Sequence, residues 1–108
     1  MISTFIHKGD VGTIFRLIVR DENDLIIDLD SAAIKYIYFQ KPTGVKVQKP
    51  ASFLTDGSDG ILQYITQSGD IDMPGLWFVQ GYVEASLGKF FTERVRFTVY
   101  DNLYISET

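Results

Sequence analysis

General acid–base catalysis in this sequence would have to begin at His7, the only histidine, which stands beside Lys8 at the start of the first strand. No Ser or Asp lies at a spacing that pairs with it, so His7 reads as a surface or rim residue. Carboxylates are plentiful, but Asp21, Glu22, Asp24, Asp28, Asp30, Asp56, Asp59, Asp70 and Asp72 all fall in turn-forming segments. Turns select Asp because its side chain accepts bonds from nearby backbone amides, which explains the placement without catalysis or a glycosidase pair. The run Asp56-Gly57-Ser58-Asp59-Gly60 has the alternating oxygens of a calcium loop. It lacks the distal bidentate Glu, and a solvated hairpin turn is the better reading. Gly9-Asp10-Val11-Gly12 leads into a strand, not a helix, and so has no helix N-terminus with which to cradle a phosphate. No catalytic, metal or cofactor-binding residue is assigned, no cofactor is expected, and the chain reads as a non-enzyme.

The elements that position these residues are strands. Thr13 to Arg20 alternates, with Phe15, Leu17 and Val19 on one face and Arg16 and Arg20 on the other. Ile34 to Lys41 is rich in β-branched and aromatic residues, and Pro42-Thr43-Gly44 turns it back into Val45 to Gln48. Pro50 limits that returning strand to a sheet edge or a break, because it has no N–H to donate. Leu25 to Ile27 reads as a short strand, Ser31-Ala32-Ala33 as a single helical turn, and Ile61 to Thr66 as a strand. The turn Gly69 to Pro74 launches Leu76 to Ala85, with Trp77, Val79, Val83 and Ala85 on one face and Phe78, Gln80, Tyr82 and Glu84 on the other. Beyond a hairpin at Ser86 to Lys89, the strand Phe90 to Tyr100 places Phe91, Val95, Phe97 and Val99 inward and Thr92, Arg94, Arg96 and Thr98 outward. Only the ends, Met1 to Ser3 and Tyr104 to Thr108, read as free to move.

Composition agrees. With 108 residues, 45% hydrophobic and 22% charged, the chain can bury one core, and residues 1–108 are read as one domain. Eight Phe, six Tyr and one Trp favour β structure or a contact surface. A net charge of −4 with scattered Lys and Arg argues against nucleic acid. The absence of cysteine excludes disulfide and thiol chemistry and fits a reducing cytosol. No apolar run approaches the ~18 residues of a membrane span, and residues 1–8 lack the pattern of a signal peptide. The fold class is therefore all-β: an immunoglobulin-like antiparallel β-sandwich of seven to eight strands.

Outward aromatics are the one surface signal. With Trp77 in the core, Phe78 and Tyr82 face away. On the strand from Ile34, either Tyr36 with Tyr38 or Ile37 with Phe39 must also face outward. Tyr36, Tyr38, Phe78 and Tyr82 are taken as a candidate protein-contact surface.

Lys8-Gly9-Asp10-Val11-Gly12-Thr13, Asp28-Leu29-Asp30-Ser31-Ala32, Phe39 to Gly44, Asp59-Gly60 with Gln63-Tyr64, Gly69-Asp70 with Pro74-Gly75-Leu76-Trp77, and Phe97-Thr98-Val99 follow one another in a familiar order. Through them the chain resembles the small immunoglobulin-like modules of tailed-bacteriophage structural proteins, and is similar to the N-terminal domain of the phage baseplate upper protein family. The resemblance implies a structural protein of the virion, made in the bacterial host cytoplasm. It would dock onto tail, baseplate, neck or capsid proteins, with homo-oligomer formation and no membrane or nucleic-acid partner. Burial of the outward aromatics and strand addition at an exposed edge would supply the contacts. The alternative expectation is a carbohydrate-binding module recognising a host surface glycan.

Overall fold

Period-two alternation builds two sheets whose apolar faces close on each other. The computed structural model describes residues 6–30, 32–86 and 88–102. Ser31 and the two ends named above lie outside them. Nine strands are present among the described residues: β1 (Ile6–His7), β2 (Ile14–Ile18), β3 (Ile34–Gln40), β4 (Lys46–Pro50), β5 (Ser52–Phe53), β6 (Ile61–Ile65), β7 (Gly75–Ala85), β8 (Gly88–Phe91) and β9 (Val95–Tyr100). A six-stranded sheet runs β1-β9-β7-β3-β4, with β8 also paired to β7, and a three-stranded sheet runs β2-β6-β5. The chain is an all-β sandwich of the immunoglobulin-like kind. Pairing is antiparallel except that β1 lies parallel to β9, Ile6 opposite Val99 and His7 opposite Tyr100. Ala32 and Ala33 form no helical turn, and Leu25 to Ile27 contributes one isolated bridge, Ile26 to Arg20, in place of the expected strand.

The expected inward faces are the buried ones. Phe15, Leu17, Val19, Leu62 and Tyr64 from the smaller sheet meet Ile37, Phe39, Trp77, Val79, Phe97 and Val99 from the larger. Phe15 joins the two sheets, its ring 5.2 Å from Phe39 and 5.0 Å from Phe97. Trp77 lies 5.9 Å from Phe97, and its indole Nε1 donates to the Met73 carbonyl at 3.1 Å. That bond ties the Gly69 to Pro74 turn to the strand it launches. Such ring pairs add ~0.5–1.5 kcal/mol each beyond the area they bury. At Gly81, also on the inward face, a Cβ would sit 3.0 Å from Leu62 and 2.9 Å from Thr92, so the sheets approach there only because the residue is glycine.

One residue breaks the alternation. Between the pairs Val79–Val95 and Tyr82–Phe91, β7 carries two residues and the facing strand carries three, 92 to 94. This one-residue bulge splits the expected strand Phe90 to Tyr100 into β8 and β9 and reverses the phase of its first part. Phe91, expected inward, stands 59% exposed, whereas Thr92, expected outward, is buried. Thr92 is bound there on every side. Its N–H donates to the Gly81 carbonyl at 2.9 Å, its Oγ1 accepts the Gly81 N–H at 2.8 Å, and Gln80 Nε2 donates to its carbonyl at 2.9 Å.

The turn carboxylates act as backbone acceptors. Asp21 accepts the N–H groups of Asn23 and Leu25, Asp28 that of Asp30, and Asp59 that of Ile61. Asp56 accepts both the hydroxyl and the N–H of Ser58, which hold its carboxyl below the usual range. Asp70 does more. It accepts the Tyr64 hydroxyl from β6 and the Gln67 N–H, and pairs with Lys49 of β4 at 3.0 Å, so it links both sheets to the turn. Burial pushes its carboxyl upward, but those three donors outweigh it and the net shift is downward. Burial first, and then Asp70, push the Tyr64 phenol well above its ordinary range.

A Thr92→Val variant should lose about 1–3 kcal/mol in urea denaturation, because the buried Gly81 N–H is left without its acceptor, while Thr92→Ser should lose less. Asp70 gives a second expectation. A lowered folded-state value means its stabilisation is present above the ordinary 3.8 and disappears as pH falls below it. Thermal melts should therefore show wild-type protein losing stability on acidification through that region, with a shallower loss in Asp70→Asn; parallel curves would remove Asp70 from the account.

Candidate functional site

Register determines which side chains share the outer face of the larger sheet. Pro50 of β4, Tyr36 of β3, Tyr82 of β7 and Phe91 of β8 are opposite one another across four strands. The next row is Gln48, Tyr38 and Gln80, and the one after it is Lys46, Gln40, Phe78 and Arg96. All four residues singled out in the sequence, Tyr36, Tyr38, Phe78 and Tyr82, fall on this face. Ile37 and Phe39 take the core, which settles the alternative left open for β3.

The rings touch in sequence. Tyr36 lies 6.3 Å from Tyr38, Tyr38 lies 6.4 Å from Tyr82, and Tyr82 lies 4.7 Å from Phe91. Phe78 stands apart from this path, covered by the Arg94 guanidinium 4.6 Å from its centroid. Phe91 is the member that period-two counting places in the core, since only the bulge turns it outward. The available signal is Thr92-Glu93-Arg94, where polar residues occupy three successive places in an otherwise alternating strand.

Electrostatics on this face is one-sided. Lys46, Lys89, Arg94 and Arg96 stand against Glu84, which lies opposite Lys89 and accepts the Tyr82 hydroxyl at 2.6 Å. Among the described residues the ion pairs involve Arg20, Lys41 and Lys49, and none involves Lys46, Arg94 or Arg96. The hydrogen bond to Glu84, followed by desolvation and the Glu84 charge, pushes the Tyr82 phenol up to about 12. Tyr82 therefore remains a neutral donor across the physiological range. A groove of about 230 Å³ opens beside the rings, with Tyr38, Gln40, Lys46, Phe78, Gln80 and Arg94 around it.

Elsewhere the sequence candidates are bound up in structure. His7 is exposed, its ring 5.9 Å from Tyr100 and its N–H given to Asp10. The Gly9 and Gly12 amides donate to the carbonyls of Ile71 and Thr66, so they do not converge on a phosphate. Among the described residues no three His, Cys, Asp or Glu side chains come together to hold a metal ion. No helix among them is long and apolar enough to cross a membrane.

No family model and no curated protein matches the chain. Among solved structures it is similar to the crystal structure of CopC from Methylosinus trichosporium OB3b. The identity is 18% and the TM-score 0.57, over 96% of this chain and 91% of that one. At that identity the likeness shows the sandwich alone. It also corrects the expected role. The sandwich whose turns and strands carried the assignment to a tailed-phage virion, with a glycan-binding module as alternative, is shared end to end with CopC, and neither assignment stands. The physical reason is that Asp/Gly/Pro turns and alternating strands are what any such sandwich needs, whatever it does.

Removing the Glu84 carboxylate should return Tyr82 from about 12 toward the ordinary 10. A ring-carbon NMR titration of Glu84→Ala against wild type reads this directly; an unmoved midpoint would dissociate Tyr82 from Glu84.

Proposed function

We propose that this chain is a non-enzymatic binding module that docks a partner protein on the outer face of its larger sheet. The observation that carries the reading is the continuous ring-to-ring path from Tyr36 through Tyr38 and Tyr82 to Phe91, ending on a phenyl group that is 59% exposed. Aromatic rings offer large contact area with few rotatable bonds to freeze, which is why they dominate binding surfaces. Covering one Phe side chain is worth ~1.5–3 kcal/mol. The turn carboxylates, engaged with backbone amides and with Lys41 and Lys49, support a binding role over a chemical one.

The face is better suited to docking than the edge. Lys41 bonds to Val45 and Ala51 to Lys35 at the two ends of the β3–β4 pair, so by alternation the backbone groups of Lys46, Gln48 and Pro50 point away from the sheet. Pro50 has no N–H, and lysines at positions 46 and 49 flank what remains. Natural sheets use this combination to resist an added strand.

The test is quantitative capture from a lysate of the source cells. Wild type is compared with Tyr36→Ser/Phe91→Ser and with Ile14→Ser/Ile65→Ser, a pair on the outer face of the smaller sheet, and buried Trp77 emission verifies folding. Capture of the same partner should fall at least about tenfold in the first variant, a change of ~1.4 kcal/mol, and persist in the second. Equal retention by both variants, or loss confined to the smaller-sheet pair, would sink the assignment.

A further inference from the structure

We infer that the partner presents an acidic segment, and that the groove beside the aromatic path receives an Asp or Glu carboxylate from it. This rests on the larger sheet's outer face being the docking surface. The groove has an aromatic wall, Tyr38 and Phe78, and a cation on either side, Lys46 on β4 and Arg94 next to β9. The row Lys46, Gln40, Phe78, Arg96 crosses four adjacent strands. Three strand spacings put its terminal Cα atoms about 14 Å apart, room for one extended chain between two positive charges.

Charge placement argues for the occupant. The chain carries −4 overall, yet among the described residues this face sets four cations, Lys46, Lys89, Arg94 and Arg96, against the Glu84 carboxylate. Glu93 lines a second cleft, with Arg16, Arg20 and Asp24, that borders the far end of the ring path at Phe91. Arg20, Lys41 and Lys49 are all paired to aspartates, while the cations of the groove are paired to none of the described residues. Two copies meeting face to face would oppose like charges, which costs affinity. Stacking on Phe78 leaves the rim of the Arg94 guanidinium free for two parallel hydrogen bonds, the geometry a carboxylate accepts. The adjoining rings would hold the apolar side chains that alternate with acids along an extended segment.

The probe is a capped Glu-Phe-Glu-Tyr-Glu-Phe peptide, titrated into isotope-labelled protein and followed by amide NMR shifts. Lys-Phe-Lys-Tyr-Lys-Phe and inorganic phosphate serve as the comparison ligands. Shifts should centre on Gln40, Lys46, Phe78, Gln80 and Arg94 with the acidic peptide. Affinity should fall at least about tenfold in Lys46→Gln/Arg94→Gln, and also on raising salt from about 0.05 to about 0.5 M, where screening shortens to a few ångströms. Equal binding of the lysine peptide, phosphate matching the peptide, or a double variant that binds like wild type would overturn the inference. So would concentration-dependent self-association through this face in light scattering. The two readings separate cleanly. If Tyr36→Ser/Phe91→Ser loses the captured partner while Lys46→Gln/Arg94→Gln retains it, the docking face stands and the acidic assignment falls.

Discussion

The paired hydrogen bonds between Gly81 and Thr92 are the constraint on which this molecule's two faces depend. A β-strand has no freedom to place two successive large residues on one side, so a strand that must serve a core and a surface needs a local phase change. Here the change is one extra residue. It lets Phe97 and Val99 fill the core while Phe91, on the same chain segment, joins Tyr82 outside. Gly81 contributes by having no side chain: the hydroxyl of Thr92 can reach its amide, and Leu62 can approach from the opposite sheet. Core packing and surface composition are thus coupled at one point of the backbone.

How much of this is legible in the sequence follows from which forces are local. Turn chemistry is local, and the segments containing Asp21, Asp28, Asp56 and Asp59 turn where Asp, Ser and Gly cluster. Alternation is nearly local, so Phe15, Leu17, Val19, Trp77 and Val79 are buried as their spacing demands. The phase of β3 is not. Tyr36/Tyr38 and Ile37/Phe39 both alternate, and only the opposite sheet, through Phe15 against Phe39, selects between them. The bulge is also invisible to counting, because its bonds join residues eleven positions apart. Leu25 to Ile27 has strand composition but finds one bridge partner, which is a tertiary fact. The candidate face was therefore legible at Phe78 and Tyr82, open between two alternatives at Tyr36 and Tyr38, and misread at Phe91. The functional assignment failed for a different reason: the residues that carried it specify a sandwich, and a sandwich specifies no role.

Charge is sorted by structural use. Aspartates are placed where the backbone has amides to satisfy, and where they meet lysine they fasten the Gly69 to Pro74 turn, Asp70 through Lys49 and Asp72 through Lys41. Four of the seven cations outside those pairs and the Arg20–Asp24 pair, namely Lys46, Lys89, Arg94 and Arg96, gather on one sheet face among aromatic rings. Net charge gives no hint of this, since −4 describes the turns and conceals the face.

The parallel pairing of β1 with β9 has a mechanical meaning. In that arrangement the chain enters β1 at one end of the pair and leaves β9 at the other. Tension transmitted through the flanking chain consequently reaches the two strands as shear, loading their hydrogen bonds, including Lys8 to Tyr100, together. An antiparallel pair pulled from its open end would instead unzip one bond at a time. The sandwich is thereby braced along the direction in which its own backbone would pull it apart.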